Sequence, residues 1–273
     1  MLSTRDNDRT AQGKGVLPRS VAVIMDGNGR WARKRGFLRI RGHRKGVDAV
    51  RTTVTECARL GLEALYLYAF STENWSRPKA EVDFLMKTLG EFLVAERPTL
   101  MDNNVRLTHC GRIEALPADI RGTLHETEAM TKDNTGLTLC LALSYGGRQE
   151  VVDAARELAR AAMQGEIDID DIDERAFASR LYRPELPDPD LLIRTAGQMR
   201  VSNFLLWQIS YAEFYVTETC WPDFDERELH RAFEAYAGRD RRYGRISREE
   251  AEEYEGDAQS VRTSARGPEI SPR

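Results

Sequence analysis

No run of apolar residues in this 273-residue chain approaches the ~20 needed to cross a bilayer. Any contact with a membrane has to come through a bound molecule or a surface. The first twenty residues are polar and lack the apolar core of a secretory signal. Cysteine is scarce, and the four present, Cys57, Cys110, Cys140 and Cys220, form neither a CxxC pair nor a zinc-ligand spacing. That speaks against a cysteine-built metal centre, and the four read as buried, reduced thiols of a cytoplasmic protein. No excess of positive charge is present: 40 Lys and Arg against 44 Asp and Glu leave a net charge of −4, which gives no reason to expect nucleic-acid binding. The glycine-rich stretches contain neither the GK[ST] of a phosphate-binding Walker loop nor a dinucleotide fingerprint. The histidines offer no Ser-His-Asp order; His43 is the best placed of them, whereas His109, His125 and His230 read as structural or surface residues.

What is present is an alternation of β-branched apolar runs with helical patterns. Val21–Met25, Ala64–Phe70, Val105–Cys110, Leu137–Leu143, Leu191–Thr195 and Phe214–Thr217 read as six strands. Between them, Val47, Val50, Val54, Cys57 and Ala58 follow helical spacing up to a stop at Gly61. Pro78 opens a helix with Val82, Leu85, Met86, Leu89, Phe92 and Leu93 on one face, and Pro117 opens another. Val151, Val152, Ala155, Leu158, Ala159 and Ala162 mark a further stripe, an acidic turn at Glu166–Glu174 leads into a short helix, and a charged helix runs from about Asp225 to Arg242. The pattern predicts one α/β domain with a mostly parallel six-stranded sheet flanked by helices. Residues 1–18 are expected to be a flexible segment, 19–246 the catalytic domain, and 247–273 a disordered tail.

In such folds ligands gather at the carboxyl ends of the strands. Three polar clusters fall there. The first strand leads into Asp26-Gly27-Asn28-Gly29-Arg30-Trp31, an acid suited to Mg2+ followed by glycines and the start of a basic segment. On physical grounds a glycine-rich turn with a capping Asp is an equally good reading. The second cluster is Ser71-Thr72-Glu73-Asn74-Trp75-Ser76-Arg77, where a cap at Ser76 accounts for only part of the polarity. The third is Arg194 with Arg200-Val201-Ser202-Asn203, which suits a second diphosphate or ordinary surface ion pairing. A basic run from Arg30 to Arg51 opposes only one acid, Asp48; it is either a solvated helix face or the seat of an anion.

These stretches carry a resemblance. Val23–Ala32 with its DGNGRWA block, Gly42-His43, Tyr68–Pro78, Tyr145–Arg148, Asp190–Thr195, Arg200–Gln208, Glu213 and Trp221–Phe224 resemble the cis-prenyltransferase family, bacterial undecaprenyl diphosphate synthase in particular, over about Val21 to Gly244. The resemblance implies a Mg2+-dependent homodimer that condenses isopentenyl diphosphate onto an allylic diphosphate such as farnesyl diphosphate, with an apolar tunnel between sheet and helices for the growing chain. It implies that Asp26 holds Mg2+ with support from Glu213. The N–H groups of Gly27, Asn28, Gly29 and Arg30, with Arg39 and Arg77, would take the allylic diphosphate. His43 would bond near Asp26, Ser71 and Asn74 would lie near the carbon that loses a proton, and Arg194, Arg200 and Ser202 would hold isopentenyl diphosphate. Trp31, Thr72, Glu73, Trp75 and Val201 complete the implied substrate-binding set.

The resemblance also implies that Arg242-Tyr243-Gly244 reaches a neighbouring subunit's site, that Ala69 leaves room for long products, and that any membrane contact is peripheral, through the product. Three positions depart from the family pattern: Ser144 stands for Asn, and Ala196-Gly197-Gln198 for Ser-Gly-Glu or Gly-Gly-Glu. A short-chain or specialised synthase and a non-catalytic partner subunit are the alternative readings.

Overall fold

Buried apolar runs with few polar side chains pair best where both sheet faces are covered, and the six predicted runs do so in the computed structural model, which describes residues 16–239. The strands are β1 Ser20–Ile24, β2 Ala64–Ser71, β3 Arg106–Cys110, β4 Thr138–Tyr145, β5 Leu191–Arg194 and β6 Glu213–Val216. They form one sheet in the order β3-β4-β2-β1-β5-β6. Every neighbouring pair is parallel, so the expected "mostly parallel" sheet is wholly so.

The helices are α1 Asn28–Lys34, α2 Arg39–Arg59, α3 Lys79–Ala95, α4 Arg97–Asp102, α5 Ala118–Thr131, α6 Gly147–Met163, α7 Glu174–Ala178 and α8 Glu226–Ala237. Pro78 and Pro117 stand at the N-caps of α3 and α5, where a missing N–H costs no intrahelical bond. Past α2, Gly61 takes φ 74° and turns the chain into β2. The described residues up to Gly238 form one compact unit. The expected tail, the Arg242-Tyr243-Gly244 element and most of the 1–18 segment lie outside the described residues.

Alternation along each strand divides the core in two. Val21 and Val23, Leu65 and Leu67, and Leu139, Leu141 and Leu143 pack with α2, α3, α5 and α8. Ala22, Ile24, Tyr66, Cys140, Ala142 and Tyr145 pack with Leu186, Phe204, Leu205 and Ile209. All four cysteines are buried and free, as expected.

One helix face departs from the reading of α6. Val152 is 45% exposed, and the buried stripe is Gly147, Glu150, Ala154, Leu158 and Ala161. Glu150 turns inward because Tyr145, Tyr182 and Gln208 donate hydrogen bonds to its carboxylate. A buried acid with three donors shifts the interior face by about a residue from where apolar spacing alone would put it.

Candidate active site

The chain leaves β1 toward β2 on one side, and β5 and β6 lie on the other. This is a switch point of a parallel sheet, where a crevice opens beyond the carboxyl ends of neighbouring strands. Ile24 of β1 pairs with Arg194 of β5, so the residues just beyond meet. Asp26 and Arg194 form the resulting ion pair: Arg194 Nη2 donates to Asp26 Oδ2 at 3.0 Å. The arginine side chain is 5% exposed and the aspartate 37%, so the cation is buried while the anion opens to the crevice.

Arg194 Nη1 also donates to Ser202 Oγ at 2.7 Å and to the Arg200 carbonyl, while Nε is buried without a partner. Asp26 is fixed from behind: its carbonyl accepts from Thr195 Oγ1 at 2.7 Å and from Trp221 N at 2.9 Å. The loop after β5 is tightly coiled, with Ala196, Ser202, Asn203 and Leu205 all at φ between 46° and 67°. Left-handed non-glycine residues cost about 1 kcal/mol or more each and gather at functional sites.

The glycine of the Asp26 loop is sterically required. Gly27 sits at φ 99°, and a Cβ there would lie 2.8 Å from Ala196 Cβ and 3.0 Å from Cys220 Cα. Gly42 permits a second close approach, since a Cβ would come within 2.0 Å of the Asn28 carbonyl oxygen. The loop from Asp26 to Arg30 is thereby clamped between α2, the β5 exit and the Trp221 turn. Arg30 reaches back to the Ala196 carbonyl at 2.6 Å.

On the opposite wall Glu81 accepts from Arg77 Nη1 at 3.1 Å and pairs with Arg39 Nε at 3.3 Å. His43 stands beside them. Burial, then the charges of Arg39 and Arg77, push its pKa down to about 4 against the opposing pull of Glu81. Its imidazole is therefore neutral at neutral pH, and its Nε2 is buried with no partner, including Asp26. A buried orphan polar atom facing a cleft marks a place for a ligand group.

The turn after β2 is organised by the residues singled out in it. Register shifts at Tyr68, Phe70 and Ser71 twist the end of the strand, a common device beside active sites. Ser71 and Asn74 close a capping box over the single 3-10 turn Thr72–Ser76. Trp75 donates its indole N–H to Ser144 Oγ at 3.0 Å and meets Phe70 edge-on at 4.7 Å. Ser144 itself is buried at φ 47°, a conformation that Asn tolerates better than Ser. Asn203 donates to Glu73 at 3.0 Å; burial raises the Glu73 pKa, but this bond and those of its own backbone, Ser71 and Thr72 leave it below the usual carboxylate range.

These groups surround the polar end of a cavity of about 690 Å³. Asp26, Asn28, His43, Ser71, Glu73, Asn74, Arg77, Arg194, Arg200 and Ser202 line that end. Val47 and Val50 of α2, Leu85, Met86, Leu89 and Phe92 of α3, and Leu67, Ala69, Leu141 and Leu143 of the sheet line the rest. A smaller recess of about 370 Å³, lined by Asp26, Gly27, Gly29, Arg30, Arg33 and Arg39, adjoins it at the shared Asp26.

Not every expected residue lines these cavities. Trp31 is 8% exposed, and its indole N–H is spent on Asp223 at 2.7 Å; it holds α1 in place rather than lining either cavity. Thr72, Trp75 and Val201 also lie behind the lining. Glu213 opens β6 opposite Leu191, whereas Arg194 pairs with Val216. It is therefore roughly 10 Å of strand away from the carboxyl ends and does not reach the ion-pair centre of its own chain. Gln198, the departure from the family pattern, accepts from Arg200 and keeps a hydrogen bond to that guanidinium without the charge of a carboxylate. Glu81 was not singled out in the sequence, although it lies four residues after Arg77, an ion-pairing interval on a helix.

Asp26 is a part-exposed carboxylate through which this site could hold a cation, and both its oxygens already accept a bond, from Gly27 N and Arg194. Such a donor set fits Mg2+ in the mode in which one carboxylate is joined by substrate phosphates and water. Among the described residues, the one group of three His, Cys, Asp or Glu ligand atoms close enough to share an ion is Glu56, Glu226 and His230 between α2 and α8. There Arg59 already holds Glu56.

Comparison with known proteins identifies the family. Residues 24–244 match the family model described as "Putative undecaprenyl diphosphate synthase". An isoprenyl transferase of Geobacter sulfurreducens is 50% identical over 231 residues, 85% of this chain and 94% of that one. One of Bacillus subtilis is 48% identical over 233 residues, covering 85% and 90%. The crystal structure of lavandulyl diphosphate synthase from Lavandula x intermedia, in complex with dimethylallyl diphosphate, superposes with a TM-score of 0.82 at 37% identity, covering 84% of this chain and 98% of that one. A probable undecaprenyl diphosphate synthase of Campylobacter jejuni gives a TM-score of 0.69 at 34% identity, covering 84% and 99%. A parallel sheet with an Asp–Arg pair at its switch point, matched over most of its length by these proteins, places the chain in the undecaprenyl diphosphate synthase family of cis-prenyltransferases.

Proposed function

We propose that the cleft condenses isopentenyl diphosphate with an allylic diphosphate, farnesyl diphosphate being the expected starter, and repeats the step to build a long-chain cis-polyprenyl diphosphate of the kind that serves as a cell-wall lipid carrier. The observation that carries the reading is the joining of a cation-rich polar end to an apolar cavity of about 690 Å³. Few substrates other than a prenyl diphosphate need both. Each CH2 moved from water into such a cavity gains about 0.8 kcal/mol, so a growing isoprenoid is held by length as well as by its head group.

The reaction breaks the allylic C1–O bond, forms a bond from C1 to the terminal carbon of isopentenyl diphosphate, and releases diphosphate and a proton. The Gly27–Arg30 N–H groups, Arg39 and Arg77 receive the leaving diphosphate and stabilise its charge as it departs. Arg194, Arg200 and Ser202 hold the second diphosphate from the β5 side and align two anions that would otherwise repel. Ser71 and Asn74, fixed by their capping box, face the carbon that gives up the proton, which leaves to a diphosphate oxygen or water. His43 stays neutral and offers a hydrogen bond beside Asp26 without adding charge. Mg2+ held by Asp26 and the isopentenyl diphosphate would neutralise phosphate charge. Among the described residues β6 is an edge strand with Phe214 44% exposed, which supports the reading as a homodimer. A role for Glu213 near an ion is then one for a neighbouring copy. No helix among the described residues is long and apolar enough to cross a membrane; a long prenyl product would itself bring the protein into peripheral contact with one.

The test is incubation of the purified full chain with farnesyl diphosphate, isopentenyl diphosphate and Mg2+, with and without chelator, followed by chain-length analysis. Long products that vanish with chelator are expected. Products stopping after one or two additions would make it a short-chain synthase, and no incorporation by folded protein would make it a partner subunit.

A further inference from the structure

Between α1 and α2 the chain makes an elbow in which Phe37 packs on Trp31 but the next two apolar residues have little to pack on. Leu38 is 81% exposed and Ile40 41%. Leu38 is also the N-cap of α2, with extended backbone at φ −62° and ψ 146° and no side-chain hydrogen bond to the helix. Ser, Thr, Asp or Asn at that position would accept from a free N–H of the first turn. The leucine thus gives up a cap and gains little burial within the chain. Single exposed leucines are ordinary. An apolar pair on one turn, one of them in the cap position, calls for a partner.

The surroundings say which partner. Arg33, Lys34 and Arg35 end α1, and Arg39, Arg41, Arg44 and Lys45 begin α2, all of them exposed. Asp223 takes Arg35, Glu81 takes Arg39, and Asp48 takes Lys45. Among the described residues Arg33, Lys34, Arg41 and Arg44 have no carboxylate partner, and Arg41 lies over the Phe37 ring at 4.0 Å. The chain as a whole carries a net charge of −4, so this positive rim runs against its bulk charge. Leu38, Ile40, Arg41 and Arg44 line neither cavity of the site, and an apolar side chain offers nothing to a soluble diphosphate. The apolar tip is small and stands on an outward turn, short of the ~800 Å² per partner of a stable protein interface.

We propose that this elbow docks the protein on an anionic lipid surface. Leu38 and Ile40 enter the boundary between head groups and acyl chains, while Lys34, Arg41 and Arg44 face acidic head groups. The docking needs no bound prenyl product, so it stands apart from the proposed reaction. If both hold, the basic recess at Gly29, Arg30 and Arg39 opens next to the bilayer, where an amphiphilic prenyl diphosphate resides.

The experiment is co-sedimentation of the substrate-free full chain with vesicles of phosphatidylcholine alone or mixed with phosphatidylglycerol. Binding to the anionic vesicles that weakens with salt is expected. Leu38→Asp should bind them about tenfold or more weakly. Its unfolding midpoint should stay level or rise, because Asp caps α2 better than Leu. Ile40→Gln, away from the cap, should act in the same direction, and Arg41→Gln should weaken binding about fivefold. Saturating inorganic pyrophosphate should leave vesicle binding in place. Equal binding to both vesicle types, wild-type affinity in Leu38→Asp, or release by pyrophosphate would each overturn the proposal, the last by assigning the arginines to a soluble diphosphate.

Discussion

On β4, Leu139, Leu141 and Leu143 pack into the core on one face of the sheet, and Cys140, Ala142 and Tyr145 into the core on the other. The leucine face meets α2 and α3 across an open cavity. The tyrosine face is filled and bonded except at its carboxyl end, where Ile24 and Tyr68 reach the cavity wall. Tyr66 donates to the Pro187 carbonyl at 3.2 Å and Tyr68 to the Ser202 carbonyl at 3.3 Å, while Tyr68 stacks on Phe204 at 4.3 Å. Tyr145 donates to buried Glu150, and Tyr182 donates to Asp153 at 2.6 Å. One face supplies room, and the other supplies rigidity to the 200–208 loop that carries Arg200 and Ser202. The contrast teaches that the alternation of a strand separates two tasks: residues one apart in sequence serve the ligand and the scaffold.

Five changes break or sharpen that contrast. Asp26→Ala, at the junction of the two faces, should lower turnover by about 10²–10³-fold or more in a protein that still folds, at some loss of stability because the buried Arg194 loses its carboxylate. Steady-state kinetics beside thermal unfolding checks it, and retained turnover in the folded variant would remove Asp26 from the chemistry. Glu150→Ala, on the rigid face, should do the reverse. It strands the buried Tyr145 hydroxyl and should cost about 3 kcal/mol in denaturant unfolding, with turnover per folded molecule close to wild type.

The cavity face should show its own pH dependence through His43. Its folded pKa of about 4 lies below its ordinary 6.5, so the unfolded chain takes the proton first. The stability is complete above pH 6.5 and is lost as pH falls toward about 4, by roughly 2–3 kcal/mol. His43→Gln should flatten that part of the stability profile; parallel profiles would refute the buried neutral imidazole. Arg200→Ala should raise the apparent constant for isopentenyl diphosphate about tenfold and that for the allylic substrate much less. Equal losses would merge the two anion sites into one. Ala69→Leu, which narrows the cavity next to the Phe70–Arg77 turn, should shorten the products and keep the first condensation, as chromatography from farnesyl diphosphate would show.

Most of this was legible in the sequence wherever one residue type carries one physical demand. Buried parallel strands need β-branched and leucine-rich runs, and all six were visible with ends within two residues. Asp26, Arg194, Arg200 and Ser202 each stood out as polar residues at strand exits. Their mutual bonding did not, because only the placement of β5 beside β1 brings Arg194 to Asp26 across 168 residues. Two placements were not legible for a different reason. Trp31 sits in a motif whose neighbours line the site, but its own side chain turns to Asp223. Glu213 starts its strand and thereby falls at the far end of the sheet. Proximity in a motif does not say which way a side chain points, and the period of α6 was misread because Glu150 is a buried acid.

The position of β1 has a consequence for how the molecule comes into being. β1 lies at residues 20–24, β2 follows at 64–71, and the second neighbour, β5, begins at Leu191. For most of synthesis the central strand has one bonded edge and one bare edge, and the bare one is the kind that pairs wrongly with other chains. Closing it requires a contact of very long sequence separation, the slowest sort to form. The Asp26–Arg194 pair is therefore among the last native contacts to be made, and a chain halted before β5 carries the Asp26 loop without the arginine that pairs with it.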